Sequence, residues 1–242
     1  FSFFSFFLTR FNLPGVSLLV YAIITKKQSI VKKLLESLDG KESMISSKDR
    51  QMRLVSAMPS QGFVEFGIPG KMNALSVAMY MSTPNIICML LDQGFDPMLS
   101  DVAGNHPFLF ACISNRLENV KYWLNRFSDW DLESPNRLFG ETPLSIAIYM
   151  GANRLELVKV LIKAGANVHA VTDNGASILG SVCSSEDGDP NVADFLIHRG
   201  ADVNYRVKDR TFKWKAIRFA TRVLVRLNLA KSGLVHFLAT ES

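Results

Sequence analysis

Apolar residues along the chain fall in paired short blocks separated by polar turns. The first block of a pair is compact, as in Ala74-Leu-Ser-Val-Ala78, Phe108-Leu-Phe-Ala111, Leu144-Ser-Ile-Ala147 and Ile178-Leu-Gly-Ser-Val182. The second has apolar residues at intervals near 3.6, as in Leu155, Val158, Leu161 and Ile162, and stops at a glycine such as Gly165, which suits a left-handed helix end. Each pair therefore predicts two short helices. The pattern also pairs Gly15–Ala22 with Ile30–Leu35 and, more weakly, Ile217–Ala220 with Leu234–Leu238. Equivalent apolar positions are Leu19, Leu75, Phe108, Leu144, Leu179 and Ile217, at spacings of 56, 33, 36, 35 and 38 residues.

The sharpest unit is Gly140-Glu-Thr-Pro-Leu-Ser-Ile-Ala147 followed by Leu157-Val-Lys-Val-Leu-Ile-Lys-Ala-Gly165-Ala-Asn-Val168. It resembles the ankyrin repeat, whose period is about 33 residues and whose signature is Thr-Pro-Leu-His-x-Ala. Thr142, Pro143, Leu144 and Ala147 match, with Ser145 in place of the histidine. His106-Pro107 stands where Thr-Pro belongs in an earlier unit, and Gly200-Ala-Asp-Val-Asn204 has the ending the family shows. The resemblance implies an all-α ankyrin-repeat solenoid of about five to six degenerate units, each a helix-turn-helix with a projecting turn or hairpin loop.

The physical case agrees. A threonine hydroxyl caps free amides and a proline at the first helical position sacrifices no hydrogen bond. One unit leaves an apolar face uncovered, and stacking covers it. Small residues at Ala22, Ala78, Ala111, Ala147 and Ala220 let neighbouring helices approach, whereas Val182 predicts looser packing. The expected organisation is an apolar N-terminal segment (1–14), a first degenerate repeat (15–37), an inserted loop (38–69), core repeats (70–205) and a basic degenerate C-terminal capping repeat (206–242).

Composition changes the picture only at the margins. With 48% hydrophobic residues over 242 positions the chain has material for a core. The run Phe1–Leu8 is too short to span a membrane, and a start at phenylalanine rather than methionine reads as a fragment or processed product. Cys88, Cys112 and Cys183 are too widely spaced for a disulfide scaffold or zinc knuckle, so a reducing cytoplasmic setting, or a nuclear one, is expected. Their expected role is that of small buried hydrophobes. His106, His169, His198 and His236 sit in different repeats with no metal-ligand spacing, and no phosphate-loop motif occurs; Ser60–Gly70 is glycine-rich but follows no strand. The reading is a non-enzyme without cofactor or metal, acting as a single copy.

What remains is binding. The resemblance implies a protein-protein scaffold or adaptor that uses loop tips and the short-helix face, or the regulatory or targeting segment of a larger enzyme or channel. Carried over position by position, the candidate contacts are Val102, Ala103 and Asn105; Leu138, Phe139, Glu141 and Tyr149; and Asp173, Asn174 and Ser184. Leu138 and Phe139 stand out as large apolar residues in a turn. Eight of nine methionines lie between Met44 and Met98, where filling an irregular core is the favoured explanation. The resemblance also marks Asn204 as an asparaginyl-hydroxylation candidate, against a purely structural role in its turn.

Charge is concentrated at one end. Nine Lys or Arg between Arg206 and Lys231 face Asp209 alone, a local +8 in a chain of net +5, leaving −3 elsewhere. On helical spacing Lys215, Arg218, Arg222 and Arg226 share one arc opposite Ala216, Val223, Leu224 and Leu227. The solvated face of a cap accounts for this. An acidic protein or an anionic membrane surface are the binding alternatives, and nucleic acid ranks lowest because no base-reading motif accompanies the charge.

Overall fold

In the computed structural model, which describes residues 18–37, 72–101, 103–137, 140–150, 153–185, 188–207, 215–216 and 219–220, the paired apolar blocks are paired helices. They are α1 (Leu18–Ile24), α2 (Gln28–Glu36), α3 (Ala74–Met81), α4 (Pro84–Asp92), α5 (Pro107–Ile113), α6 (Leu117–Arg126), α7 (Pro143–Tyr149), α8 (Leu155–Lys163), α9 (Ile178–Ser184) and α10 (Pro190–His198). Among the described residues no strand forms beyond an isolated Val171–Ser177 bridge, and no helix is long and apolar enough to cross a membrane. The expected all-α architecture of stacked helix pairs is what the chain adopts.

The chain divides into two compact units, Phe1–Asp131 with Asn136–Leu138, and Leu132–Pro135 with Phe139–Ser242. In the first, α3 packs between α1 and α5, while α4 packs between α2 and α6. In the second, α7 packs on α9 and α8 on α10, each also against its own partner. First helices are the interior layer: all seven residues of α5 are buried. Second helices bury one face only, which in α8 is Leu157, Val158 and Leu161. Leu155 and Ile162, expected on that face, are half-buried instead. Val158 and Leu161 hold their expected places, Leu157 joins them, and Leu155 and Ile162 lie at the edges of the stripe.

The turns repeat as closely as the helices. Lys26, Asn115 and Asn153 each take positive φ (57°, 55° and 58°) between the two helices of a pair. Gly94, Gly165 and Gly200, with φ of 79°, 106° and 90°, end α4, α8 and α10. After α6 no glycine occupies that place. Phe127 and Trp130 there pack with Trp123, with ring centroids 4.9 and 5.1 Å from the Trp123 ring, and Trp130 meets His106 at 5.3 Å. Carbonyls at the ends of first helices are satisfied by the next repeat: Ser82 Oγ donates to Ile23 O (3.1 Å), Asn119 Nδ2 to Met79 O (3.0 Å) and Arg116 Nε to Tyr80 O (3.1 Å).

Val182, in place of the smaller alanine, is buried in α9, and one packing expectation changes. Ala220, aligned with four alanines that are all buried, is exposed, as are Ala216 and Phe219. Buried first helices carry no Lys or Arg, whereas Lys215 and Arg218 interrupt this segment, and an unpaired cation is costly to remove from water. The expected segments 1–14 and 38–69, and Leu234–Leu238, lie outside the described residues.

Candidate protein-binding surface

The turns that lead into first helices are built from their own side chains. Gly104, Gly140 and Gly175 occupy the same place, three residues before each helix begins, with φ of 82°, 70° and 89°. A side chain there would be strained. In the first unit Asp101 Oδ1 accepts the amides of Ala103 (2.9 Å) and Asn105 (2.8 Å), while Asn105 Nδ2 donates to Asp101 Oδ2 (3.0 Å). The Arg137 amide donates to Ala103 O (2.8 Å) and Asn136 Nδ2 to Asn105 Oδ1 (3.2 Å). In the second unit the Thr172 amide donates to Ala176 O (3.0 Å), and Asn174 Oδ1 accepts the Ala176 amide (3.0 Å) and the Thr172 hydroxyl. The tip Asp173-Asn174-Gly175 is thus a fixed hairpin.

Thr142 closes the neighbouring turn. Its amide donates to Ser145 Oγ (2.9 Å) and its hydroxyl oxygen accepts the Ser145 amide (3.3 Å), so the serine that replaces the family histidine completes a capping box. Glu141 lies beside it with Oε2 closed off from solvent. Burial pushes its carboxyl up to about 7, a bond with Ser145 opposes this, and the nearby Asp173 charge adds to it. His106, by contrast, is pushed down to about 4 by burial against the aromatic cluster, with Asp131 pulling weakly the other way. Neutral and enclosed at physiological pH, its ring is part of the packing.

The candidate contacts separate on this geometry. Ala103 and Asn105 are buried, Asn105 to 2% exposure, and hold their turn rather than face solvent. Asp173 and Asn174 are half-buried at the hairpin tip, and Ser184 is exposed at the end of α9. Tyr149 is 55% exposed, on a helix whose other six residues are all buried. Asn204 is exposed; its amide donates to Asp202 Oδ1 (2.8 Å), a turn repeated at Asp96–Met98 and Asn167–His169. Lys215 is exposed. Val102, Leu138, Phe139, Arg218, Arg222 and Arg226 lie outside the described residues, or have side chains that do.

Candidate chemistry is dispersed. Cys112 is buried, but Cys88 is half-buried with Sγ donating to Asp92 Oδ2 (3.2 Å), and Cys183 is exposed, contrary to the uniform burial expected. His169 and His198 are exposed in different repeats. Among the described residues no three His, Cys, Asp or Glu side chains are grouped as metal ligands. A cleft of about 190 Å³ is lined by Val168, His169, Ser177, Leu179, Ala201, Asp202 and Tyr205, between the ends of successive second helices. Met98 and Phe219 are exposed apolar residues that sequence reasoning placed inside: no sequence signal separates Met98 from the core methionines, whereas Lys215 and Arg218 beside Phe219 are a signal against its burial.

A family model described as ankyrin repeats (3 copies) matches residues 108–207. The chain is similar to human protein phosphatase 1 regulatory subunit 27, with 32% identity over 105 residues that span 39% of this chain and 67% of that protein. The match, the Thr142–Pro143 start, the recurrent left-handed glycines and the alternating helix layers have one explanation: the chain belongs to the ankyrin repeat family, with that family's all-α solenoid of helix pairs.

Proposed function

We propose that this protein is a non-catalytic adaptor that binds a protein partner through the turn tips and first-helix face of its second unit. The observation that carries the reading is Tyr149. A large aromatic side chain standing in water on an otherwise buried helix suits an interface anchor, since aromatic residues dominate interface energies. The fixed hairpin at Asp173-Asn174 supplies polar contacts whose ordering cost is already met by folding. Ser184 extends the surface, and Phe139 belongs to it by sequence position, whereas Val102 and Leu138 fall in the first unit. Ala103, Asn105 and Glu141 support the turns from within. The first partner to test is protein phosphatase 1, because the similar human protein is a regulatory subunit of that enzyme by name.

The experiment is calorimetric titration of purified phosphatase 1 catalytic subunit, beside quantitative capture from lysate, using wild type, Tyr149→Ala and Asp173→Arg. One partner should bind wild type and weaken at least tenfold with Tyr149→Ala, about 1.4 kcal/mol or more. Undiminished capture by both variants would refute this surface; failure of the phosphatase alone would exclude only that partner.

A further inference from the structure

We propose that Asn174 is a site of covalent self-modification: deamidation through a cyclic imide, held in check by the hairpin and released when the hairpin opens. This concerns the covalent fate of the tip and stands whether or not a partner binds there. Asn174 is the one asparagine in the sequence that is followed by glycine. The chemistry favours that pairing. The Gly175 backbone nitrogen attacks Asn174 Cγ and closes a five-membered ring. The Cγ–Nδ2 bond breaks, and Nδ2 leaves as ammonia, taking up one proton for the one that the Gly175 nitrogen gives up. Water then opens the ring at either carbonyl, giving aspartate or isoaspartate. A side chain at 175 would crowd the attack, whereas glycine, here at φ 89°, does not.

In the closed hairpin both reacting groups are present, but the nucleophile is withheld. The Gly175 amide donates to Thr172 O (2.9 Å) and the residue is buried, so hydroxide does not reach the proton that must leave before the nitrogen can attack. The electrophile, by contrast, is polarised. Asn174 Oδ1 accepts the Ala176 amide (3.0 Å) and the Thr172 hydroxyl, donors that stand where negative charge would develop during attack. They gain nothing while the nitrogen keeps its proton, and they tie the side chain to residues 172 and 176. Protection therefore wins until the hairpin opens. Opening parts the Thr172–Gly175 and Thr172–Ala176 bonds and the isolated Val171–Ser177 bridge, far less than unfolding the whole unit. The two products then diverge. Aspartate keeps an oxygen for the Ala176 amide and lets the hairpin re-form. Isoaspartate adds a carbon to the backbone and shifts the Gly175 nitrogen out of register with Thr172 O, so the opening is recorded permanently beside Asp173.

The test incubates the full chain in mildly alkaline buffer, with and without denaturing urea, and follows the tryptic peptide Ala164–Arg199 by mass spectrometry with fragmentation that separates aspartate from isoaspartate. Conversion of amide to acid should appear at Asn174, at least about tenfold more slowly in buffer than in urea. That factor should match, within about threefold, the protection of the Gly175 amide against hydrogen exchange, because one opening exposes both. Thr172→Val, which removes the hydroxyl, should speed the reaction in buffer at least about threefold and leave the rate in urea unchanged, and Thr172→Ser should restore the wild-type rate. Should the valine variant melt early, the exchange comparison on wild type decides alone. Asn174→Gln, whose attack would have to close a six-membered ring, should show no conversion at that position even in urea. Conversion as fast in buffer as in urea, conversion at Asn167 or Asn191 with Asn174 intact, or a slowing unrelated to Gly175 exchange would overturn the proposal.

Discussion

Single residues set the conditions under which the turns hold. Glu141 ordinarily ionises near 4.5 and is pushed up to about 7 in the fold. Between those values the folded chain keeps a proton that the unfolded chain has lost. Stability therefore falls as pH rises from about 4.5 to about 7, and the full cost of the buried charge is present above that. Glu141→Gln should flatten this dependence and stabilise the protein at pH 8 by roughly 2 kcal/mol, as read from urea midpoints at a series of pH values. Glycines carry a second prediction. At Gly165 (φ 106°) an added Cβ meets open space, so Gly165→Ala should cost only about 1 kcal/mol of backbone strain. At Gly140 (φ 70°) the added Cβ also collides with the Asp173 carboxyl, so Gly140→Ala should lower the denaturant midpoint more, and Asp173→Ala should recover part of the loss. Glycine and proline made these turns legible. The Asp173 contact was not, because it joins turns more than thirty residues apart in sequence.

Elements were the most readable scale. Thr142-Pro143 announced α7, and the structure adds that Ser145 returns the cap, so Thr142→Ala should cost about 1–2 kcal/mol in chemical denaturation. Its counterpart His106-Pro107 begins α5 with no side-chain cap, the histidine ring lying against Phe108 and Trp130 instead. The same cluster stands after α6, where a glycine ends α4, α8 and α10, and no local pattern distinguishes the two solutions. In α8 Val158 and Leu161 are buried as the spacing implies, while Leu157 rather than Leu155 or Ile162 completes the stripe, because a spacing of three or four residues is met by more than one set of apolar positions. At Phe219 and Ala220, repeat spacing suggested burial, whereas the lysine and arginine between them and their neighbours had already argued against it.

At the scale of the molecule, the repeat order was legible while the division into two compact units was not, since the local pattern runs without a break through residues 131–139. The candidate surface was legible as a set of turn positions. Its depth was not: sequence spacing places Asn105 and Tyr149 alike on the binding side, yet one is inside and the other in water. The three thiols give each unit a reporter of its own without any engineering. Cys183 is exposed in the second unit and should react with a maleimide or Ellman's reagent within the mixing time, while Cys112 is fully enclosed in α5 of the first and should wait for that helix to open. Cys88, half-buried, falls between them. Slow labelling of one thiol, followed by mass spectrometry of the Cys112 peptide, then measures the opening free energy of the first unit, and equally fast labelling of Cys112 and Cys183 would contradict its enclosure. A dye fixed at Cys183 would sit beside Ser184 on the proposed partner surface, where a change in its emission would time the arrival of the partner.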